Sequence, residues 1–196
     1  APYWLSYPEM IRAAGATPVP VPCRAEDHYE VSPEALAGAV SNRTRLLILN
    51  SPGNPTGAVY RRSTLEAIAA LAVKRNFMVL ADEIYEKLVY DREFPHVSIA
   101  SLNPEIAALT VTVNGFSKAY SMTGWRLGYV AAPLWLAKRI DALQSHTTSN
   151  ATSFAQAGAL AALRGDQAPV EKMRQAFAVR CDLIHSLMSA ITGVRC

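Results

Sequence analysis

Leu109-Thr110-Val111-Thr112-Val113 is an unbroken run of apolar and β-branched residues, and Asn114-Gly115-Phe116-Ser117-Lys118-Ala119-Tyr120-Ser121-Met122-Thr123-Gly124-Trp125-Arg126 follows it as a glycine-punctuated turn. The run is too short and too continuous for an amphipathic helix and reads as a buried strand. Behind the turn, Leu127-Gly128-Tyr129-Val130-Ala131 reads as another strand. Only eight positions separate Lys118 from Arg126, too few for a helical crossover, so this strand is expected to return antiparallel. The turn then presents one amine, Lys118, beside a fixed cation, Arg126.

Working outward, Leu46-Leu47-Ile48-Leu49 and Phe77-Met78-Val79-Leu80 have the same character and read as buried parallel strands. Between them Leu65, Ile68, Ala69 and Ala72 recur at helical spacing behind Ser63, read as the N-cap, which gives a βαβ unit. Upstream, Glu9 to Ala14 reads as a short helix stopped by Gly15, and Thr17 to Val21, flanked by prolines, as an edge strand or extended connector. After Pro133 the pattern turns helical: Leu134 to Leu143, Ser153 to Leu163, then a stripe of Val170, Met173, Phe177, Cys181, Ile184, Met188 and Ile191. These helices are expected to face the core. Gly53, Gly57, Gly115 and Gly124 are read as turn formers with positive φ.

The bulk numbers exclude several classes. With 196 residues, 51% hydrophobic and 18% charged, the chain matches one globular domain. Nineteen basic against sixteen acidic residues give +3, with no Lys/Arg block of the kind nucleic acid or an anionic membrane requires, so the partner is expected to be small. Cys23, Cys181 and Cys196 are odd in number and lack CxxC spacing, which indicates neither a disulfide framework nor a zinc site. The four histidines show no ligand spacing either. No apolar stretch approaches the roughly 20 residues that cross a bilayer, and the first residues carry no export signal, so a soluble cytoplasmic protein is expected.

Asn54, Asp82 and Lys118 each lie just past the carboxyl end of an expected parallel strand, where open α/β sheets place their ligand crevice. Singly they are poor evidence, since a lysine after a strand is usually a solvated charge. Together, Asn50-Ser51-Pro52-Gly53-Asn54-Pro55-Thr56-Gly57, Ala81-Asp82-Glu83-Ile84-Tyr85 and Ser117-Lys118 with Arg126 eight positions on form three motifs in fixed order. In that order and spacing the chain resembles the class I/II aminotransferases, fold-type I pyridoxal-phosphate enzymes. Val113-Asn114-Gly115 and Met122 to Arg126 place it near their prokaryotic aspartate aminotransferase-like branch.

The resemblance implies a three-layer αβα large domain with a mainly parallel sheet and one antiparallel strand. Residues 1–165 would be its cofactor-binding portion, and residues 166–196 a long helix leading toward a small domain. Members run to about twice this length, so the chain reads as a fragment whose isolated activity is expected to be lost, because the family's substrate-carboxylate arginine falls beyond Cys196. The implied cofactor is pyridoxal 5'-phosphate, with Lys118 as Schiff-base lysine and later proton shuttle. Asp82 would face the ring nitrogen, Asn54 and Tyr85 the phenolate oxygen, Arg126 the phosphate, and Trp4 the ring face. Relatives place a phosphate-binding serine three residues before the lysine; here that place is Gly115, and the hydroxyl offered is Ser117. Ser145 to Asn150 matches a loop that in relatives approaches a second subunit, which implies a homodimer.

The activity expected is transfer of an amino group from an amino acid, aspartate by first choice, to a 2-oxo acid. Two alternatives carry nearly the same motifs: a carbon–sulfur lyase or aminocyclopropane-carboxylate synthase, and a non-catalytic cofactor-binding sensor domain. Product analysis separates the first from transamination, and an upstream helix-turn-helix would mark the second.

Overall fold

A computed structural model describes residues 1–91 and 93–194. Four strands form one sheet in the order β1 (Leu46–Asn50), β2 (Met78–Asp82), β3 (Thr110–Gly115) and β4 (Gly128–Ala131). The first three are parallel and β4 pairs antiparallel with β3, as the short lysine turn requires. The register puts Asn50 beside Asp82 and Gly115 beside Gly128. The carboxyl ends of the parallel strands and the start of β4 therefore share one edge.

Helices α1 (Ser6–Ala13), α2 (Pro33–Ala39), α3 (Arg62–Arg75), α4 (Pro104–Ala107), α5 (Leu134–Thr147), α6 (Ser153–Arg164) and α7 (Ala168–Ser189) complete the fold. Alternation along β2 separates two faces. Val79 and Ala81 are buried with Leu65, Ile68, Ala69 and Ala72 of α3, with α2 and α4 contributing Leu36 and Ile106 to the same cluster. Asp82, of opposite parity, receives a hydrogen bond from Tyr7 of α1. Helices thus flank both faces of an α/β sheet.

Several local expectations need correction. Ser63 does not cap α3: the helix begins at Arg62 behind Arg61, whose amide donates to Glu30 Oε2 at 3.2 Å and whose Nε donates to Oε1 at 2.6 Å. The buried Glu30 carboxylate fills the cap's place at the positive helix end. Of the two readings of Thr17 to Val21 the connector holds, since Pro18, Pro20 and Pro22 have no amide hydrogen to donate to a ladder. Of the four glycines read as positive-φ turn formers, only Gly57 has one, +73°. Gly115 instead serves close approach, since a Cβ there would lie 3.1 Å from Gly128 Cα across the strand pair. The stripe on α7 is not core-facing throughout: Val170, Met173 and Phe177 are half-buried, whereas Cys181, Ile184, Met188 and Ile191 are exposed, and α5 buries no residue. Cys23 and Cys181 are free, and Cys196 lies outside the described residues. No helix among the described residues is long and apolar enough to cross a membrane.

Candidate active site

Asp82 ends β2, and its carboxylate is fixed from two sides. Tyr7 donates its hydroxyl to Oδ2 at 2.6 Å, and the Ile84 amide donates to Oδ1 at 3.2 Å. Burial, reinforced by the hydrogen bond and charge of Asp82, holds the Tyr7 phenol far above its ordinary range, so it remains a donor. Tyr7 in turn meets the Trp4 ring edge-on, centroids 5.4 Å apart. Trp4, Tyr7 and Asp82 form one chain of contacts, with Trp4 38% exposed at its outer end.

The Asn50–Gly57 turn is tied to the same strand end. Asn50 Nδ2 donates to the Asp82 carbonyl at 3.0 Å while its Oδ1 accepts the Asn54 amide at 2.8 Å, and the Ser51 amide donates to the Asp82 carbonyl at 3.2 Å. Asn50 therefore bridges Asn54 to Asp82.

Lys118 reaches back over Tyr85, its Nζ 5.4 Å from the ring centroid, in the range of a cation–π contact. Its turn is held by α6 and α7. Phe116 and Met122 pack on Ala159, the Tyr120 hydroxyl donates to Gln167 Oε1 at 3.1 Å, and Ser121 Oγ donates to Met173 Sδ at 2.8 Å. Ser121 and Arg126 both adopt left-handed backbone, φ 52° and 54°, a conformation that non-glycine residues keep only where the surroundings impose it. Trp125, just before Arg126, lies against α6, where a Cβ on Gly158 would come within 2.5 Å of Trp125 Cζ3. Arg126 is exposed, its Nη1 donating to the Thr123 carbonyl at 2.8 Å.

The structure thus joins Trp4 to Asp82 through Tyr7, Asn54 to Asp82 through Asn50, and Lys118 to Tyr85. Ser117 is half-buried beside Lys118, and Arg126 lies two residues before β4 at the same edge. Sequence reasoning missed Tyr7 and Asn50 as members of the site. Asn50 opens the Asn50–Gly57 motif at a strand end, a usable signal. Tyr7 had no such signal, because its partner lies 75 positions away. The Ser145–Asn150 segment is not wholly a loop: α5 runs through Thr147, leaving Thr148 to Asn150 outside it.

One sheet edge carries a half-buried amine, Lys118, an oriented carboxylate, Asp82, and an arginine, Arg126, and comparison with known proteins identifies the class of the chain. The family model for aminotransferase class I and II matches residues 1–196, and the chain belongs to that family. It is 47% identical over 195 residues to an aspartate aminotransferase of Geobacillus stearothermophilus, covering 100% of this chain and 49% of that one. Among solved structures it superposes on Thermus thermophilus aspartate aminotransferase with maleate at TM-score 0.92 and 41% identity, covering 97% of this chain and 49% of that one. It also superposes on the aromatic aminotransferase of Pyrococcus horikoshii at TM-score 0.93 and 40% identity, covering 96% of this chain and 51% of that one. The chain spans about half the length of the curated relatives it matches.

Proposed function

We propose that this chain carries the cofactor-binding core of an aminotransferase that moves an amino group from an amino acid, aspartate by first choice, to a 2-oxo acid. The observation that carries the reading is Lys118 Nζ over the Tyr85 ring, three residues past a strand-end carboxylate, Asp82, that Tyr7 orients. That donor set fits pyridoxal 5'-phosphate: an amine for the aldehyde, an anion for the ring nitrogen, hydrogen-bond donors for the phenolate and a cation for the phosphate. When bound, the cofactor supplies an exchangeable aldehyde and an electron-withdrawing ring. Lys118 would hold it and later move a proton at the substrate Cα.

Asp82 would keep the ring nitrogen protonated. Tyr7 and the Ile84 amide each donate to one of its oxygens and fix its direction, which suits that task. Asn54 and Tyr85 would donate to the phenolate oxygen. Arg126 would grip the phosphate with its planar fork, Ser117 would offer a hydroxyl there, and Trp4 would cover a ring face. The aspartate preference rests on the names of the Geobacillus and Thermus relatives, and the aromatic Pyrococcus enzyme marks the competing choice. A cytoplasmic homodimer completes the proposal.

The test is an absorbance titration with pyridoxal 5'-phosphate of the wild-type protein and of Lys118→Ala. The wild type is expected to show the visible band of lysine-bound cofactor and the variant only the spectrum of free aldehyde. An identical bound spectrum in both would sink the reading.

A further inference from the structure

We infer that Glu83 and His96 form a buried clasp that positions Asp82 and Tyr85 without touching cofactor or substrate, an inference that rests on the function proposed above. Asp82 and Glu83 are successive residues of extended chain, so their side chains leave on opposite faces of the sheet. Asp82 projects toward Tyr7. Glu83 projects to the α3 side and lines a small cavity there with Leu65, Ala81 and Ile99. His96 lines the same cavity, its Nε2 3.2 Å from Glu83 Oε2, and the two side chains are only 10% and 6% exposed.

Neither ring nitrogen of His96 has a hydrogen-bond partner, so the contact with Glu83 is a close side-by-side approach. Among the described residues no other basic side chain lies within ion-pair distance of Glu83. A carboxylate taken out of water needs such a partner to remain there. The spacing also matters, because residues 83 and 96 are the two ends of the loop that carries Tyr85. At its start the Glu83 amide donates to the Val113 carbonyl at 2.9 Å, extending the β2–β3 ladder. Within it, Glu86 N donates to Glu83 O at 2.9 Å and Leu88 N to Tyr85 O at 2.8 Å. The clasp closes this loop from the far side of the sheet. Release of Glu83 would loosen the backbone that aims Asp82 and the turn that places Tyr85 against Lys118.

The experiment compares His96→Leu, His96→Gln and the double variant Glu83→Gln/His96→Leu with the wild-type protein. Cofactor affinity is read by absorbance titration, and amide hydrogen exchange over residues 82–88 is read without cofactor, at temperatures where circular dichroism shows every protein folded. His96→Leu is expected to weaken cofactor binding and to speed exchange, each by roughly tenfold. The glutamine amide is polar, reaches about as far as the imidazole and offers an N–H to Glu83, so His96→Gln is expected to stay near wild type. The double variant carries no stranded buried charge, which keeps it folded, yet it is expected to show both losses.

A purely structural role for His96 predicts a lower melting temperature with unchanged exchange and affinity in the double variant, and that result would overturn the clasp. So would stoichiometric Zn2+ binding that His96→Leu abolishes, because Glu86 brings a second carboxylate within 4.8 Å and a metal centre would then explain the cluster. If the wild-type protein takes up no cofactor, the proposed function fails, and hydrogen exchange alone decides the clasp.

Discussion

The two halves of the molecule bury their apolar residues to very different degrees. Around β1 to β3, Val79 and Ala72 are 0% exposed and Phe77 1%, with α3 supplying a continuous apolar face. On α5 and α7 no residue is buried, and Leu134, Trp135, Val179, Leu183, Ile184 and Leu187 stand exposed. Both halves carry helical periodicity of the same kind. A repeat of apolar positions therefore says which face of a helix avoids water, but not what covers that face. The candidate site lies at the boundary: Asp82 and Asn54 are held by the well-packed half, while the Lys118 turn leans on α6 and α7.

The largest expected effect tests the packed half. Phe77 precedes β2 inside the main cluster, and Phe77→Ala should cost about 3–5 kcal/mol of unfolding free energy in a denaturant titration. A cost under about 1 kcal/mol would mean that the site's foundation lies elsewhere.

This half was also the more legible one. Continuous β-branched runs and the spacing of Leu65, Ile68, Ala69 and Ala72 determine strand, helix and face together, because burial on both sides of a parallel strand leaves few alternatives. The antiparallel return of β4 followed from counting residues. Two short helices carry plain start signals in the sequence: Ser32-Pro33, where Ser32 Oγ accepts the Ala35 amide, and Asn103-Pro104, where Asn103 Oδ1 accepts the Ile106 amide. The candidate site residues stand out in the sequence because three motifs lie at strand ends. Tyr7, His96 and Glu30 were not, since each acts on a residue distant in sequence, and nothing local marks a hydroxyl, imidazole or carboxylate that is needed far along the chain.

The next effect sharpens the boundary. Tyr7→Phe removes one hydrogen bond to the Asp82 carboxylate, worth about 1.5–3 kcal/mol, and should weaken cofactor binding while leaving the fold intact. The sign with pH follows from the raised phenol. Below about pH 10 both folded and unfolded chains keep the Tyr7 proton; above it the unfolded chain releases it while the folded chain retains it, so stability falls by up to about 1.4 kcal/mol per pH unit. Tyr7→Phe should remove that slope and no other, because Tyr60, Tyr90 and Tyr129, whose phenols burial also raises, remain in both proteins. Parallel stability curves for the two proteins up to pH 11 would show that Tyr7 is not held as described.

The smallest effect is the sharpest test of the contrast between halves. Leu183 lies mid-helix on α7 and is 57% exposed, so Leu183→Ala removes little buried surface and places a better helix former in the same turn. The two contributions nearly cancel, and the expected change is within about 0.5 kcal/mol. The same truncation at Leu65, 1% exposed on α3, should cost about 2–5 kcal/mol. The difference between the two costs measures how unequally apolar surface is buried across the chain. If Leu183→Ala also costs more than about 2 kcal/mol, the α7 surface around Leu183 is covered in the molecule as purified, because exposed leucine has no cavity to leave behind.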